Sequence, residues 1–389
     1  MPQSFEDILS SLPDIEKEVR QLKEILLANL VMLGEIPAPT FNEGKRIEFL
    51  TNRFKEAQIA KNSVDEVGNG IAILKGKQNS QNILIAAHAD TVFGTNVDHT
   101  INVQPEVVTG AAVADNSLGL AVLASLPNIL EKLDIRLKHN LILLGDTRSL
   151  GRGNLEGLRF FLSNFGRPIF AGLVIEGIEV GRLSHTSIGM KRGVIHCQVP
   201  ETYDWSRFGD ASAILTVNEV INRINEIKLP QRPRTSIVMG SMNGGTSFNT
   251  TALNATLRFE VRSESSEMVQ NIHQRLQEIV DEVSSRSGDS IDMDIFAQRE
   301  PGGISFSHPL VRNTREIMHH LNIEPRPGPS TSELSALIDH KIPSLTLGLT
   351  HGDHINETKQ SIRIDPIYSG IAQIIGTLLA IDGGYCEED

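Results

Sequence analysis

The stretch ILIAAHADTVFG, residues 83–94, decides the fold. It begins with a continuous apolar run, Ile83 to Ala87, and continues directly into His88 and Asp90. An uninterrupted run of this length is typical of a strand buried on both faces in a parallel sheet. In open α/β sheets ligands bind beyond the carboxyl ends of the strands, so His88 lies where a functional residue is expected.

Strands and helices alternate on both sides of this run, which predicts an α/β domain. Its sheet should be mostly parallel, with helices on both faces. The predicted strands are 70–74, 82–87, 141–144, 172–175 and 344–349, and the predicted helices are 14–33, 42–57, 117–133, 155–164, 310–321 and 367–380.

The pattern changes between residues 191 and 302. There the predicted order is strand 193–199, helix 211–227, strands 235–240 and 252–261, helix 268–286 and strand 291–296. This β-α-β-β-α-β order is the ferredoxin-like arrangement. We therefore expect a discontinuous α/β domain, residues 1–190 and 303–389, interrupted by a smaller α+β domain, residues 191–302. Turns near Gly189 and Gly302 would bring the entry and exit of the insertion close together.

Length and composition narrow the class of protein. A chain of 389 residues is too long for one hydrophobic core, since single cores stop growing at roughly 250–300 residues. A hydrophobic fraction of 40% with 22% charged residues indicates a globular protein rather than a disordered one. Lys and Arg number 36 against 48 Asp and Glu, which argues against a nucleic-acid partner.

The location of the protein is also constrained. No uninterrupted apolar run reaches the length of about 18 residues that spans a bilayer, so no membrane partner is expected. The acidic, polar N-terminus does not resemble a secretory signal. The two cysteines, Cys197 and Cys386, offer neither a disulfide framework nor a cysteine-built zinc site, and fit a reducing cytoplasm.

Several other segments offer possible metal ligands at strand ends or in loops. Asp115 lies in GAAVADNSLG, a glycine-flanked loop that opens a helix, and Glu176 ends the strand GLVIEG. Histidine and carboxylate are ligand types that suit zinc or manganese. Each residue alone is more often structural: His88 and Asp90 can form a pair that closes a strand end, and Asp115 can be a helix N-cap.

A last group of candidates follows the strand SLTLGL. His351, Asp353 and His354 cluster there in the segment LTHGDH. Four separate strand-end or loop segments thus carry histidine or carboxylate, which favours a metal site. Asp90, two residues after His88, can orient the other ring nitrogen of a metal-binding histidine.

The order of these motifs resembles that of the co-catalytic zinc peptidases and amidohydrolases, which include carboxypeptidase G, peptidase T, aminoacylase and succinyl-diaminopimelate desuccinylase. The resemblance runs over nearly the whole chain. The matching segments, in chain order, are DEVGNGIAILKG (65–76), HAD (88–90), AVADNSLGLAVL (112–123), GRLSHTSIGMKRG (181–193), GGTSFNTTA (244–252), FEVRSES (259–265) and GDHINE (352–357).

The resemblance implies a role for each matched metal-ligand candidate. His88, Asp115 and Glu176 would hold one metal ion, and Asp90 would orient His88. His354 and the shared Asp115 would serve a second ion. The implied cofactor is zinc, as one or two ions, with manganese or cobalt as alternatives.

The resemblance also implies roles for the inserted domain, which would be a lid. Asn249 and Arg262 would help to bind substrate. The lid would join two subunits through its edge strands, so the implied partners are a second copy of the chain and a small peptide or acylated amino acid.

The first departure from the family pattern removes a pair of glutamates. The family places the pair shortly after the strand that here begins LILLGDTRSLGRGNLEG (141–157); the first is the general base and the second binds the second metal. Alignment puts the pair at Ser149 and Leu150, or at Arg148 and Ser149, and neither choice supplies a carboxylate. Asp146, two or three residues upstream, is the nearby substitute for the base, although it could instead cap the loop.

Two further departures are smaller. In PETYDWSRFGDASAI (200–214) Tyr203 stands where the family has a histidine that stabilises the oxyanion. A tyrosine hydroxyl can also donate to an oxyanion. STSEL, residues 330–334, stands where a serine-threonine-aspartate segment is usual.

Two functions remain open on the sequence. The first is a metal-dependent hydrolase of amide bonds in a small peptide or N-acyl amino acid, with activity reduced by the lost groups and with His351 or Asp353 as substitutes for the missing ligand. The second is a catalytically inactive relative that binds a ligand, a metal or a protein partner.

Overall fold

The chain forms two compact units. A computed structural model describes residues 4–78, 81–199, 212–355 and 357–387. The larger unit comprises residues up to Ser187 together with those from Gly303 onward, and the smaller unit is Ile188–Gly302.

The helices of the described residues are α1 (Phe5–Arg20), α2 (Lys23–Gly34), α3 (Gly44–Glu56), α4 (Leu118–Lys132), α5 (Glu156–Asn164), α6 (Ala213–Asn225), α7 (Ser266–Ser287), α8 (Pro309–His320), α9 (Leu334–Asp339) and α10 (Pro366–Asp382). The strands are β1 (Lys61–Val64), β2 (Gly70–Leu74), β3 (Asn82–His88), β4 (Asn102–Val103), β5 (Val107–Gly110), β6 (Asn140–Asp146), β7 (Ile169–Ile178), β8 (Arg182–Ser184), β9 (Thr186–Ser187), β10 (Gly189–Gln198), β11 (Thr235–Gly244), β12 (Asn254–Ser263), β13 (Ser290–Arg299), β14 (Gly302–Gly303), β15 (Arg326–Pro327), β16 (Ser344–Thr350), β17 (Gly352–Asp353) and β18 (Gln360–Arg363).

The larger unit is built on an eight-stranded sheet in the order β1-β2-β6-β3-β7-β16-β8-β15. Its centre is parallel, because β3 pairs in parallel with both β6 and β7, and β7 pairs in parallel with β16. Every residue of β3, β6 and β16 is buried. The register sets His88 beside Asp146 at the carboxyl edge of the sheet.

Helices cover both faces of this sheet. Alternate residues of β3 face opposite sides, so Ile83 and Ile85 join one apolar core while Leu84 joins another. The first core includes residues of α4 and α10, and the second includes residues of α5 and α9. The α/β class, the mostly parallel sheet and the two helical layers are therefore confirmed.

The smaller unit is an antiparallel sheet of four strands with two helices. The strand order is β11-β12-β10-β13, and its apolar core is shared with α6 and α7. Numbered within the unit this order is 2-3-1-4, which is the ferredoxin-like topology that the β-α-β-β-α-β order predicts.

The prediction of one helix over residues 14–33 is wrong. The structure has α1 and α2, separated at Gln21 and Leu22. The first helix begins earlier because Ser4 and Asp7 form a capping box, and it continues through Pro13. The break lets the two helices pack on different partners, α1 against α10 and α2 against α4. The apolar residues of both helices continue one helical spacing in the sequence, so the spacing did not indicate that the two helices have different packing partners.

One segment, Val113–Lys132, is long and apolar enough to cross a membrane by length and composition alone. It contains α4, and 89% of its most apolar window is buried inside the structure. A core helix packed against a sheet passes the same test, so this segment is weak evidence for a membrane span.

The packing of α2 gives a test of the core. Replacing Leu30, which is fully buried, with Ala should lower the free energy of unfolding by about 2–5 kcal/mol, because it removes buried apolar surface and leaves a cavity. Ile25→Ala on the exposed side of the same helix should cost less than about 1 kcal/mol. Calorimetric unfolding of both variants checks this, and equal destabilisation would contradict the packing described.

Candidate metal centre

His88 lies at the end of the central strand β3 with its ring held between two aspartates. Its Nδ1 lies 3.1 Å from the backbone oxygen of Asp90 and 3.2 Å from that residue's Oδ1. Its Nε2 lies 3.0 Å from Oδ1 of Asp115. The imidazole is 3% exposed, so Asp90 fixes the ring orientation and directs Nε2 toward Asp115.

Asp115 is brought to the strand ends by its neighbour Asn116. The Asn116 side chain donates to the Ile175 carbonyl at 2.8 Å and accepts from the Gly177 backbone N–H at 2.9 Å. These two bonds bracket Glu176 and tie the loop to the end of β7. A Cβ at Gly177 would lie 2.1 Å from the Ala114 carbonyl oxygen, so the loop can approach this closely only because the residue is glycine.

The structure thus brings together one imidazole and two carboxylates. His88, Asp115 and Glu176 each present a possible ligand atom, and these atoms lie within 4.8 Å of one another. Nitrogen and carboxylate oxygen in this number fit zinc or manganese. Three ionisable groups at one point, two of them buried, form a donor set that a cation would compensate.

The electrostatics of the cluster follow from burial and mutual attraction. Burial alone would lower the pKa of His88, but hydrogen bonds to Asp115 and Asp90 and the charge of Glu333 raise it well above its usual value. Burial raises the pKa of Glu176 to about 7, against the opposing effect of His88. The pKa of Asp115 is lowered: burial opposes its ionisation, and the bond to His88 outweighs that effect.

Asp90 is itself held by three further groups. Its Oδ2 accepts hydrogen bonds from the Thr40 hydroxyl and from the Leu150 backbone N–H, both at 2.8 Å. Arg46, fully buried, donates to the Ala89 carbonyl and adds a nearby positive charge. The buried negative charge of Asp90 is therefore compensated from several directions, which keeps it ionised behind His88.

Asp146, predicted as a substitute base, lies beside His88 at the end of β6. It is fully buried, and neither carboxylate oxygen has a hydrogen-bond partner. Burial, and after it the negative charge of Glu333, raise the pKa of Asp146 well above its usual value. Asp146 therefore lies next to His88 without a hydrogen-bond partner, and its role as the base stays a prediction.

Glu333 is a site residue to which sequence reasoning gave no role. It is fully buried, its Oε1 accepts a hydrogen bond from the Ser149 hydroxyl, and its charge influences His88, Asp146 and Glu176. The signal present in the sequence was the departure from the family at STSEL, in which this glutamate is the fourth residue.

The third group of predicted ligands does not join the cluster in the described residues. The His354 side chain is 61% exposed, and its Nδ1 lies 3.2 Å from Oε1 of Glu357. His351 instead contacts Glu179, and Asp353 is exposed. His354 therefore stays a prediction as a ligand of a second metal ion. His351 and Asp353, the possible substitutes for the missing ligand, do not belong to the cluster either.

The predicted substrate-binding residues lie in the smaller unit. Asn249 is exposed and accepts a hydrogen bond from the Ser247 hydroxyl at 3.1 Å. Arg262, on β12, forms an ion pair with Glu260, which also pairs with Arg192 at 2.6 Å. Tyr203 lies outside the described residues, so its predicted role is untested.

A protein-family model matches part of the smaller unit. Residues 209–287 match the peptidase dimerisation domain. Among curated proteins no sequence matches.

Comparison with solved structures covers nearly the whole chain. The di-peptidase Dug1p from Saccharomyces cerevisiae superposes with a TM-score of 0.78 at 12% identity, covering 96% of this chain and 98% of that one. Human carnosine dipeptidase 1 gives 0.75 at 9% identity, covering 95% and 99%. The Bacillus subtilis YXEP protein, a dinuclear metal-binding peptidase from the M20 family, gives 0.65 at 16% identity, covering 94% and 99%.

These comparisons confirm the resemblance found in the sequence. The fold is that of peptidases and amidohydrolases with an α/β domain and an inserted dimerisation domain. At these low identities the likeness establishes the fold, and the chemistry has to be argued from this chain's own residues.

The raised pKa of Glu176 gives a test in metal-free protein. Because the folded-state pKa is about 7 against an ordinary 4.5, the folded protein binds the extra proton at low pH, and this stabilisation is lost as pH rises through 7. Glu176→Gln cannot ionise. Its unfolding temperature should match wild type near pH 4, below the ordinary pKa of 4.5, and exceed it by several degrees near pH 8, at about 2–4 °C per kcal/mol.

Thermal unfolding in EDTA across this pH range gives the measurement. The exposed Glu316→Gln on α8 is the matched control and should follow wild type at every pH. A Glu176→Gln curve parallel to wild type would show that Glu176 ionises normally in the fold.

Proposed function

We propose that the chain is a metal-dependent hydrolase of amide bonds, acting on a small peptide or an N-acyl amino acid. The observation that carries the proposal is the cluster of His88, Asp115 and Glu176 at the carboxyl ends of the central strands. Ligand and catalytic sites of α/β sheets lie at this edge. The peptidase fold and dimerisation domain support the same class of reaction.

The residues present fit one metal ion. His88, Asp115 and Glu176 would hold it, and Asp90 would keep the imidazole in the tautomer that leaves Nε2 free to bind. When bound, zinc supplies Lewis-acid polarisation of a carbonyl and lowers the pKa of water. The chain contributes a donor set in which His88 and Glu176 are buried and Asp115 is partly exposed, with His88 oriented by Asp90.

A second ion would be held more weakly. Ser149 stands where the family supplies a carboxylate ligand in one alignment, and His354 is exposed rather than in the cluster. One of the three implied second-site ligands is thus replaced in the sequence and a second, His354, lies outside the cluster, while Asp115 belongs to it. We therefore propose one tight site, occupied by zinc, with manganese or cobalt as alternatives.

A non-hydrolytic binding protein is the second candidate function. The absence of carboxylates at positions 148–150 favours it, since loss of a general base alone typically costs roughly 10²–10⁴-fold in rate. Such a relative would keep the metal cluster and bind a ligand or a protein without turnover.

The assembly we propose is a homodimer through the smaller unit. In the described part of that unit β11 is an edge strand, and Val238 and Met242 on it are exposed. Leu215 at the start of α6 and Phe248 after β11 are also exposed. An apolar edge strand is a template for pairing with another chain. Arg262 and Asn249 would contribute to substrate binding, and Tyr203 to stabilising the oxyanion.

The cellular setting follows from composition. A net charge of −12 disfavours nucleic acid as partner, and we propose a cytoplasmic location on the basis of the two free, buried cysteines.

Metal content gives the first test of the function. After incubation with zinc and exhaustive dialysis, wild type should retain one ion per chain. His88→Ala and Asp115→Ala should retain none, because each removes one of three donors. His354→Ala should keep the tight ion. Calorimetric titration that shows two equal, tight sites would contradict this assignment.

Hydrolysis of a panel of dipeptides and N-acetyl amino acids by zinc-loaded protein then separates the two candidate functions. Turnover that is absent in His88→Ala supports the hydrolase. Zinc retained without turnover on any member of the panel supports the binding protein.

The dimer has its own test. Val238→Glu combined with Met242→Glu should convert a dimer into a monomer in light scattering, because two charges would be buried unpaired at the β11 edge. Val64→Glu on β1, an exposed valine on an edge strand of the other unit, is the matched control and should stay dimeric. A dimer that persists in the double variant would place the interface elsewhere.

A further inference from the structure

Two departures from the family pattern meet in space. One is the loss of the glutamate pair at positions 148–150, and the other is the glutamate within STSEL. They are more than 180 residues apart in sequence, yet the Ser149 hydroxyl donates a hydrogen bond to Oε1 of Glu333. Ser149 belongs to the lost pair in both possible alignments. The carboxylate of Glu333 thus lies beside Ser149, at a position where the family has a glutamate.

The loop after β6 is fixed so that Ser149 faces inward. The Thr147 backbone N–H donates to Oδ1 of Asn69, and the Arg148 backbone N–H donates to Oε1 of Glu43, both at 2.9 Å. The Arg148 side chain turns outward to pair with Glu156 at 2.6 Å. Ser149 is buried, so its hydroxyl is available to the interior.

Glu333 is held at one oxygen and open at the other. Its side chain is 0% exposed, and Oε2 has no hydrogen-bond partner. A buried carboxylate oxygen without a donor costs free energy unless a ligand or water satisfies it. Oε2 is therefore a built acceptor position inside the site.

The position of Glu333 relative to the cluster distinguishes two roles. Glu333 lies in the same buried region: Ser149, which donates to it, is followed by Leu150, whose backbone N–H donates to the Asp90 carboxylate behind His88. In the described residues it is not a member of the group whose ligand atoms lie within 4.8 Å of one another. A carboxylate near the ligands but outside their group is a candidate for the proton acceptor rather than for a fourth ligand.

We propose that Glu333 replaces the lost glutamate as the proton acceptor of the site, with Ser149 as its positioning residue. This inference rests on the proposed hydrolase function. Oε2 takes one proton from the attacking water while the water oxygen bonds to the amide carbon. When the C–N bond breaks, that proton passes to the leaving nitrogen, which departs as an amine and leaves a carboxyl product. Glu333 ends the cycle unprotonated, as it began.

Glu333→Gln gives the test, because it keeps the shape and removes the proton acceptor. Zinc retention should equal wild type, KM on the best panel substrate should stay within a few-fold, and kcat should fall by roughly 10²–10⁴-fold. In Glu333→Ala added sodium formate should restore part of kcat, because a small carboxylate can occupy the emptied position. Ser149→Ala should lose less than Glu333→Gln, since it disturbs only the orientation of the carboxylate.

Controls keep the outcomes distinct. Glu316→Gln on the surface should leave every quantity unchanged, and thermal unfolding should show that each variant is folded. If Glu333→Gln is unfolded, Glu333→Asp, which keeps the carboxylate and withdraws it by one methylene, should show a smaller fall in kcat at constant zinc content, and an unchanged kcat would refute the role of Glu333.

Each other result overturns the inference in an identifiable way. Wild-type turnover with unchanged kcat in Glu333→Gln refutes the role of Glu333 and leaves the hydrolase function standing. Loss of the zinc ion in a folded Glu333→Gln protein shows that Glu333 is a metal ligand. Wild type that retains zinc and hydrolyses no substrate of the panel refutes the hydrolase function, and the role of Glu333 with it.

Discussion

The contact between His88 and Asp90 is the interaction on which the rest of the site depends. It is buried, and Asp90 is at the same time bonded by Thr40 and by the loop after β6. A buried carboxylate is tolerated only when hydrogen bonds and opposite charge compensate it. The same side chain therefore orients the imidazole and anchors the Leu150 backbone, which joins the position of His88 to that of Ser149.

The glycines and amides around the cluster show how a parallel sheet makes such a site. Strands β3, β6 and β7 bring their carboxyl ends to one edge, and the Asn116 side chain ties the Asp115 loop to that edge around Glu176. The apolar strands behind the edge exclude water. The candidate metal ligands His88 and Glu176 lie at or near the carboxyl ends of their strands, where ligand sites of α/β sheets are found.

Much of the fold could be predicted because its signals are local. A continuous apolar run such as 83–87 is typical of a strand buried on both faces. The change in the order of strands and helices between residues 191 and 302 distinguishes the two units. The short strands β1, β4 and β8 were not predicted, since segments of four, two and three residues are too short to show a clear period. The break between α1 and α2 was also missed, because the spacing of apolar residues indicates which face of a helix is buried but not which element it packs against.

The sequence by itself determined the fold class, the inserted domain and the identity of His88, Asp115 and Glu176 as candidate ligands, because strand ends and motif order are local properties. Only the tertiary structure showed how near these three lie to one another, that His354 does not join them, and that Glu333 lies against Ser149. The physical reason is that a carboxylate acts through its position in space. A group lost from one loop can be supplied by another loop distant in sequence, and a linear pattern contains no information on that contact.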